Sequence, residues 1–414
     1  MRNLRRLASS AVVAGALLLA GCSDWLTVPD PTVIDANALD PVADAPILSR
    51  SAQQNFAHAY GWMIMYSSWF TGETDVSETF PTRNEFGRRN IVIQNGSLNG
   101  DVWFPLSQSV ASAYLVLNAG LPNPESNLNV ARANFFLAWS YLFMAEHFCR
   151  GTVQAGPELS TAAMLDSAVA HFALAISRGT AAGGEGTTLA NAARVGTARA
   201  YLQAGNTAQA ISAAGAVPAG FTYNLSYVDD LAQRTRLANR LWQFVRDRGS
   251  IAVAPIWRTT DPRVPWLVTS AYSPQDAAYS TDRGVPYAIQ QKYTDYSSPI
   301  RLASKLEADY IQAEADGTSS QLTLIDARRA ATGLAAYSGP TDANSVLTEF
   351  FTQKGFDFYL EGKRLGDFRR HPNNIIGAPV SGSTYWKPGF APVGTDICYP
   401  LPIAELDNNK NFNP

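Results

Sequence analysis

Histidine and cysteine are scarce, with four of the first and three of the second in 414 residues. His58, His147, His171 and His371 show no metal-ligand spacing, and neither a Cys-x-x-Cys pair nor a Gly-x-Ser-x-Gly elbow occurs. No metal and no cofactor are expected. Gly183-Gly184-Glu185-Gly186 is rich in glycine, but no Gly-Lys-Ser/Thr follows and no apolar strand leads in, so it reads as a linker and not as a phosphate loop. Basic density is missing too. After residue 6 no run of Lys and Arg is concentrated enough for phosphate backbones, and the formal charge is −3, so nucleic acid is not an expected partner. The apolar stretch from Leu7 to Ala20 is too short to cross a bilayer.

That stretch follows Arg2, Arg5 and Arg6 and ends in Leu19-Ala20-Gly21-Cys22. The layout is that of a secretion signal closing on a lipobox, in which small residues fit the lipoprotein signal peptidase and the cysteine takes the lipid. Residues 1–21 are therefore expected to be a signal peptide, and Cys22 the lipidated N-terminus. Losing the three arginines moves the formal charge from −3 to −6. Ser23, where an aspartate would favour inner-membrane retention, suits the outer membrane. Residues 22–46 carry Pro29, Pro31, Pro41 and Pro46 and read as an extended tether. Cys149 and Cys398 lie far apart in the chain; an oxidising envelope permits a bridge, but two buried thiols are the expectation.

A composition that is 46% hydrophobic allows residues 47–414 to bury one large core. Helical periodicity dominates it. Ile47 to Tyr66 and Val102 to Leu121 read as helices. Asn129 is placed to cap a third, whose apolar residues from Phe135 to Met144 cover the whole circumference and predict burial. Leu165, Val169, Phe172 and Ile176 mark its partner. After a glycine-rich link at Gly179 to Gly186, Ala190, Ala193, Ala200 and Leu202 face Ala208, Ile211 and Ala214 across Gly205-Asn206. From Pro299, Leu302, Leu306, Tyr310 and Ala313 recur at three and four residues and predict a helix, with Arg301, Lys305, Glu307 and Glu314 on its polar side. An antiparallel partner ends near Gly333, and a third helix leads into Glu361-Gly362-Lys363-Arg364-Leu365-Gly366-Asp367-Phe368-Arg369-Arg370.

The order of these pieces, Ala313-Glu314-Ala315, then a short Ala/Arg-rich helix, then Glu361-Gly362-x-Arg364-x-x-Asp367-x-x-Arg370, resembles the SusD/RagB-like family of outer-membrane lipoproteins. The tail from Tyr399 resembles the family's closing segment at Pro400, Pro402, Glu405 and Asn408. Where the family carries an acidic-basic pair ahead of Glu-Gly, this chain has Gln353 and Lys354, with Asp357 nearby. The resemblance implies a mainly α fold of degenerate tetratricopeptide-like helical pairs, about 102–217 and 299–370, around a loop-rich insert at about 219–298. It also implies a cell-surface protein that binds an oligomeric nutrient, glycan or peptide, without altering it. Its partner would be a TonB-dependent (SusC-like) outer-membrane transporter. Glu361, Arg364, Asp367 and Arg370 are read as structural pairs, because a buried charge without its partner is costly.

The insert loses periodicity apart from a helix-like patch at Leu231 to Val245, and between Phe244 and Phe350 every ring carries a polar edge. Such rings stack on a sugar face while an N–H or O–H stays wet. Trp69, Trp257, Trp266, Tyr272 and Tyr279 are the ligand-binding candidates, and Tyr385-Trp386-Lys387-Pro388-Gly389 is a further aromatic loop. Two other readings compete. Glu73 and Asp75 could act as the acid pair of a lipid-anchored glycan hydrolase, although a solvated acidic loop is the commoner outcome. The helical pairs could instead serve as a scaffold that binds only protein.

Overall fold

The computed structural model describes residues 40–268 and 287–412; Cys22, Tyr272 and Tyr279 lie outside them. Among the described residues no helix is long and apolar enough to cross a membrane. The first helix, α1 (Ala45–Phe70), is amphipathic at its start and buried at every residue from Ala59 on. A short α2 (Pro81–Gly87) and α3 (Phe104–Leu117) follow, the latter entered through a π-helical turn at Leu98–Trp103. The all-round apolar helix is α4 (Leu128–His147), buried from Val130 to His147, and Asn127, not Asn129, caps it by accepting the Asn129 N–H. Next come α5 (Thr161–Ala182), α6 (Glu185–Gln203) and α7 (Thr207–Gly215), so that α4 through α7 stack as successive antiparallel neighbours.

The expected link at Gly179 to Gly186 shrinks to Gly183-Gly184, both with positive φ. Gly179 and Gly186 are instead inside α5 and α6, where the helices touch: a Cβ on Gly179 would stand 2.5 Å from the Gly186 carbonyl oxygen. Glycine there sets the interhelical distance, which a local pattern of turn residues does not reveal.

The helix expected from Pro299 starts later. Ile300–Ser304 is strand β6, paired antiparallel with β2 (Thr222–Leu225), and α8 (Lys305–Asp316) begins only where Ser304 Oγ accepts the Glu307 N–H. Leu302 kept helical spacing by coincidence, and pairing with a segment about 80 residues away decided the matter. The patch at Leu231 to Val245 also breaks up, into Arg234–Leu237, Arg240–Gln243 and a π-helical turn at Phe244–Arg248. Then α9 (Thr318–Ala331), α10 (Ala343–Asp357) and α11 (Arg364–Arg370) complete the helical half.

Two charges expected on the polar face of α8 are buried. Glu307 lies between Arg199 (3.3 Å) and Lys363 (2.8 Å), and Glu314 between Arg370 (2.9 Å) and Lys354 (3.4 Å). Glu361 meets Arg301 at 2.9 Å and Lys292 at 2.7 Å, and Asp367 meets Lys354 and Arg370, both at 2.7 Å. Lys354 thus bridges Glu314 and Asp367. Gly362, at φ 66°, has Ile64 where a Cβ would go.

Cys149 and Cys398 are bridged, with Cα atoms 5.2 Å apart, which corrects the expectation of two thiols. The Cys149 N–H donates to Tyr399 O and the Tyr399 N–H to His147 O, so a short parallel backbone pairing brings the sulfurs together. The buried Tyr399 ring then lies between Phe70, Phe86 and Phe148.

Candidate ligand cavity

α1 ends at Phe70 and the chain turns at Gly72, whose φ of 71° and lack of a Cβ let it lie against Gly377. Two donors hold the turn: the Trp257 indole N–H reaches Gly72 O at 2.8 Å and Arg364 Nε reaches Thr71 O at 3.2 Å. Strand β1 (Thr74–Val76) then pairs antiparallel with β3 (Ile251–Val253), placing Asp75 opposite Ala252. A third pair, β4 (Trp266–Val268) with β5 (Ala288–Gln290), lies further along the insert.

Beside β1 is a cavity of about 300 Å³, walled by Trp69, Asp75, Ile256, Thr384, Tyr385 and Trp386 among others. Tyr385 and Trp386 form a tilted pair with centroids 5.9 Å apart, and the Tyr385 hydroxyl donates to Asn84 Oδ1 at 3.1 Å. Gly87 lies under this ring, and a Cβ on it would be 2.7 Å from the Tyr385 oxygen. Trp386 is half-buried and Ile256 is exposed.

The acidic loop is not solvated. Burial pushes the Glu73 carboxyl up to about 7 against the pull of Arg364, and pushes Asp75 up to about 7 against Arg258 and Lys387. The two carboxyls serve different spaces. Glu73 accepts the Leu360 N–H at 3.2 Å and lines a void of about 10 Å³ beside Arg364, whereas Asp75 lines the larger cavity. The acid pair that a hydrolase would need across one bond is therefore not assembled from these two residues.

Of the candidates, Trp69 is buried yet lines the cavity, and its indole N–H has no hydrogen-bond partner among the described residues. Trp257 is fully buried against Phe356 and Tyr359, where it anchors the Gly72 turn and has no ring face free for a ligand. Trp266 is half-buried, donates to Thr259 O at 2.8 Å and is not among the cavity walls. Tyr385 and Trp386 stood outside the expected set. Their aromatic loop was visible in the sequence, but its return to α1 across some 300 residues was not.

No family model matches the sequence, and no curated protein matches it. Solved structures do. A SusD superfamily protein from Bacteroides vulgatus superposes with a TM-score of 0.64 at 14% identity, over 90% of this chain and 98% of its own. The fold is SusD-like. A SusD-like carbohydrate-binding protein from Bacteroides fragilis gives 0.63 at 13% identity, over 88% and 98% of the two chains. A laminarin-binding SusD-like protein gives 0.58 at 15%, over 90% and 98%. The mainly α, SusD-like body thus spans nearly all of each neighbour.

Proposed function

We propose that the protein is a non-catalytic member of the SusD-like class that captures a glycan in this cavity and hands it to a TonB-dependent outer-membrane transporter. The observation that carries the reading is the Tyr385-Trp386 pair beside a cavity with few polar groups, because such rings bind the apolar face of a pyranose. The carbohydrate-binding descriptions of similar folds support it. The lipobox ending at Cys22 supports a lipid anchor and Ser23 after it the outer membrane, while the cell-surface face rests on the family resemblance.

Titrating the purified protein with a panel of soluble glycans, followed by tryptophan fluorescence, tests this. At least one neutral glycan should bind, and Trp386→Ala should weaken it about tenfold, the effect of losing one stacking contact. Binding unchanged in Trp386→Ala would remove the cavity from the reading. New reducing ends in the bound glycan would replace capture with hydrolysis.

A further inference from the structure

We infer that Asp75 is the specificity-determining group of the cavity and that it selects a neutral sugar unit by accepting two neighbouring hydroxyls, so that acidic sugars are excluded. The inference rests on the glycan-binding reading and narrows it to a ligand class.

Asp75 is the only carboxylate or cation among the described cavity walls. No hydrogen bond or ion pair to it occurs among the described residues, so both carboxyl oxygens retain their acceptor capacity. The charged groups that face it are Arg258 and Lys387, and both have other partners. Arg258 Nε donates to Val253 O at 2.9 Å; Lys387 Nζ donates to Glu78 O and stands 5.1 Å from the Trp386 ring centroid. Neither side chain lines the cavity. The nearby Tyr385 hydroxyl is committed to Asn84, and Glu73 faces the Arg364 void.

A negatively charged ligand would therefore meet a like charge at close range, and a positively charged one would meet the fields of Arg258 and Lys387. A neutral unit avoids both. Two adjacent hydroxyls match the two oxygens of one carboxylate, as in other two-point contacts to that group. The ring that carries them can then lie on the Tyr385-Trp386 wall. About 300 Å³ is at the small end of ligand pockets, room for one or two sugar units. The part recognised is thus a short stretch of the glycan, with the rest outside.

The test compares wild type, Asp75→Asn and Asp75→Glu as purified full chains. Neutral di- and trisaccharides, the matching uronic-acid disaccharides and the matching amino sugars are titrated at pH 5.5 and 8.5. Burial raises the Asp75 carboxyl to about 7, so affinity of the wild type for the neutral sugar should rise with pH, because hydroxyl donors favour the ionised carboxylate. Asp75→Asn should lose about tenfold at pH 8.5, lose the pH dependence and admit the uronic acid. Asp75→Glu, which keeps the charge, should still exclude it. Neutral-sugar binding that is equal in wild type and Asp75→Asn, with one pH profile, would overturn the role of Asp75 and leave the glycan-binding reading intact. Preference for the amino sugar or the uronic acid would overturn the ligand class. No binding of any sugar by the wild type would overturn both readings.

Discussion

Glu73 shows what burial does to one carboxyl. Its folded-state value near 7 is above the ordinary 4.5, so the fold prefers the protonated form, and stability falls as pH rises from about 4.5 to 7. Glu73→Gln keeps the shape and the acceptor for the Leu360 N–H. It should raise stability at pH 8 by about 2–3 kcal/mol, with the gain vanishing near pH 4.5, as read from urea unfolding at the two pH values. Glu314 behaves oppositely. Burial alone would raise its carboxyl, but Arg370 and Lys354 outweigh burial and hold it well below the usual range. The stability it contributes is present above about 4.5 and is lost in acid. The sequence disclosed the paired role of Glu361, Asp367 and Arg370, because a buried charge without its partner is costly. Arg364 corrects that expectation, since it donates to the Thr71 and Ile376 carbonyls and has no ion pair among the described residues. The sequence did not disclose the burial of Glu73 or the half-buried place of Asp75, since β3, the strand that pairs with β1, comes about 175 residues later.

At the scale of elements, the long helices were legible and their contacts were less so. α4 declared its burial through apolar residues on every side. Ile300–Ser304 looked helical because a five-residue strand can share spacing with the helix that follows it. The α5–α6 crossing depends on glycines that read as a linker. Gly196 lies against Phe172, with a Cβ position only 2.2 Å from Cζ of that ring. Gly196→Ala should raise helix propensity yet overpack the crossing, for a net loss of about 1–3 kcal/mol in thermal or denaturant unfolding. A neutral or stabilising outcome would mean that Phe172 moves aside freely.

Across the whole molecule, the disulfide joins the end of α4 to the tail across a sequence separation of 249 residues. Reduction, or Cys398→Ser, should cost about 2–4 kcal/mol and expose the tail beyond Val393 to proteolysis before the helical stack opens, seen as early cleavage near the C-terminus. If the tail resists cleavage as in the oxidised protein, Tyr399 and its aromatic neighbours hold it alone. The fold class could be read from helical periodicity and the Glu-Gly-x-Arg segment. The cavity could not, because its walls come from residues 69–87, 254–256 and 377–393, which no local pattern connects.

That spread has a consequence during synthesis. A ribosome releases the α1 wall hundreds of codons before the Tyr385-Trp386 wall, so a copy terminated early has only one side of the cavity.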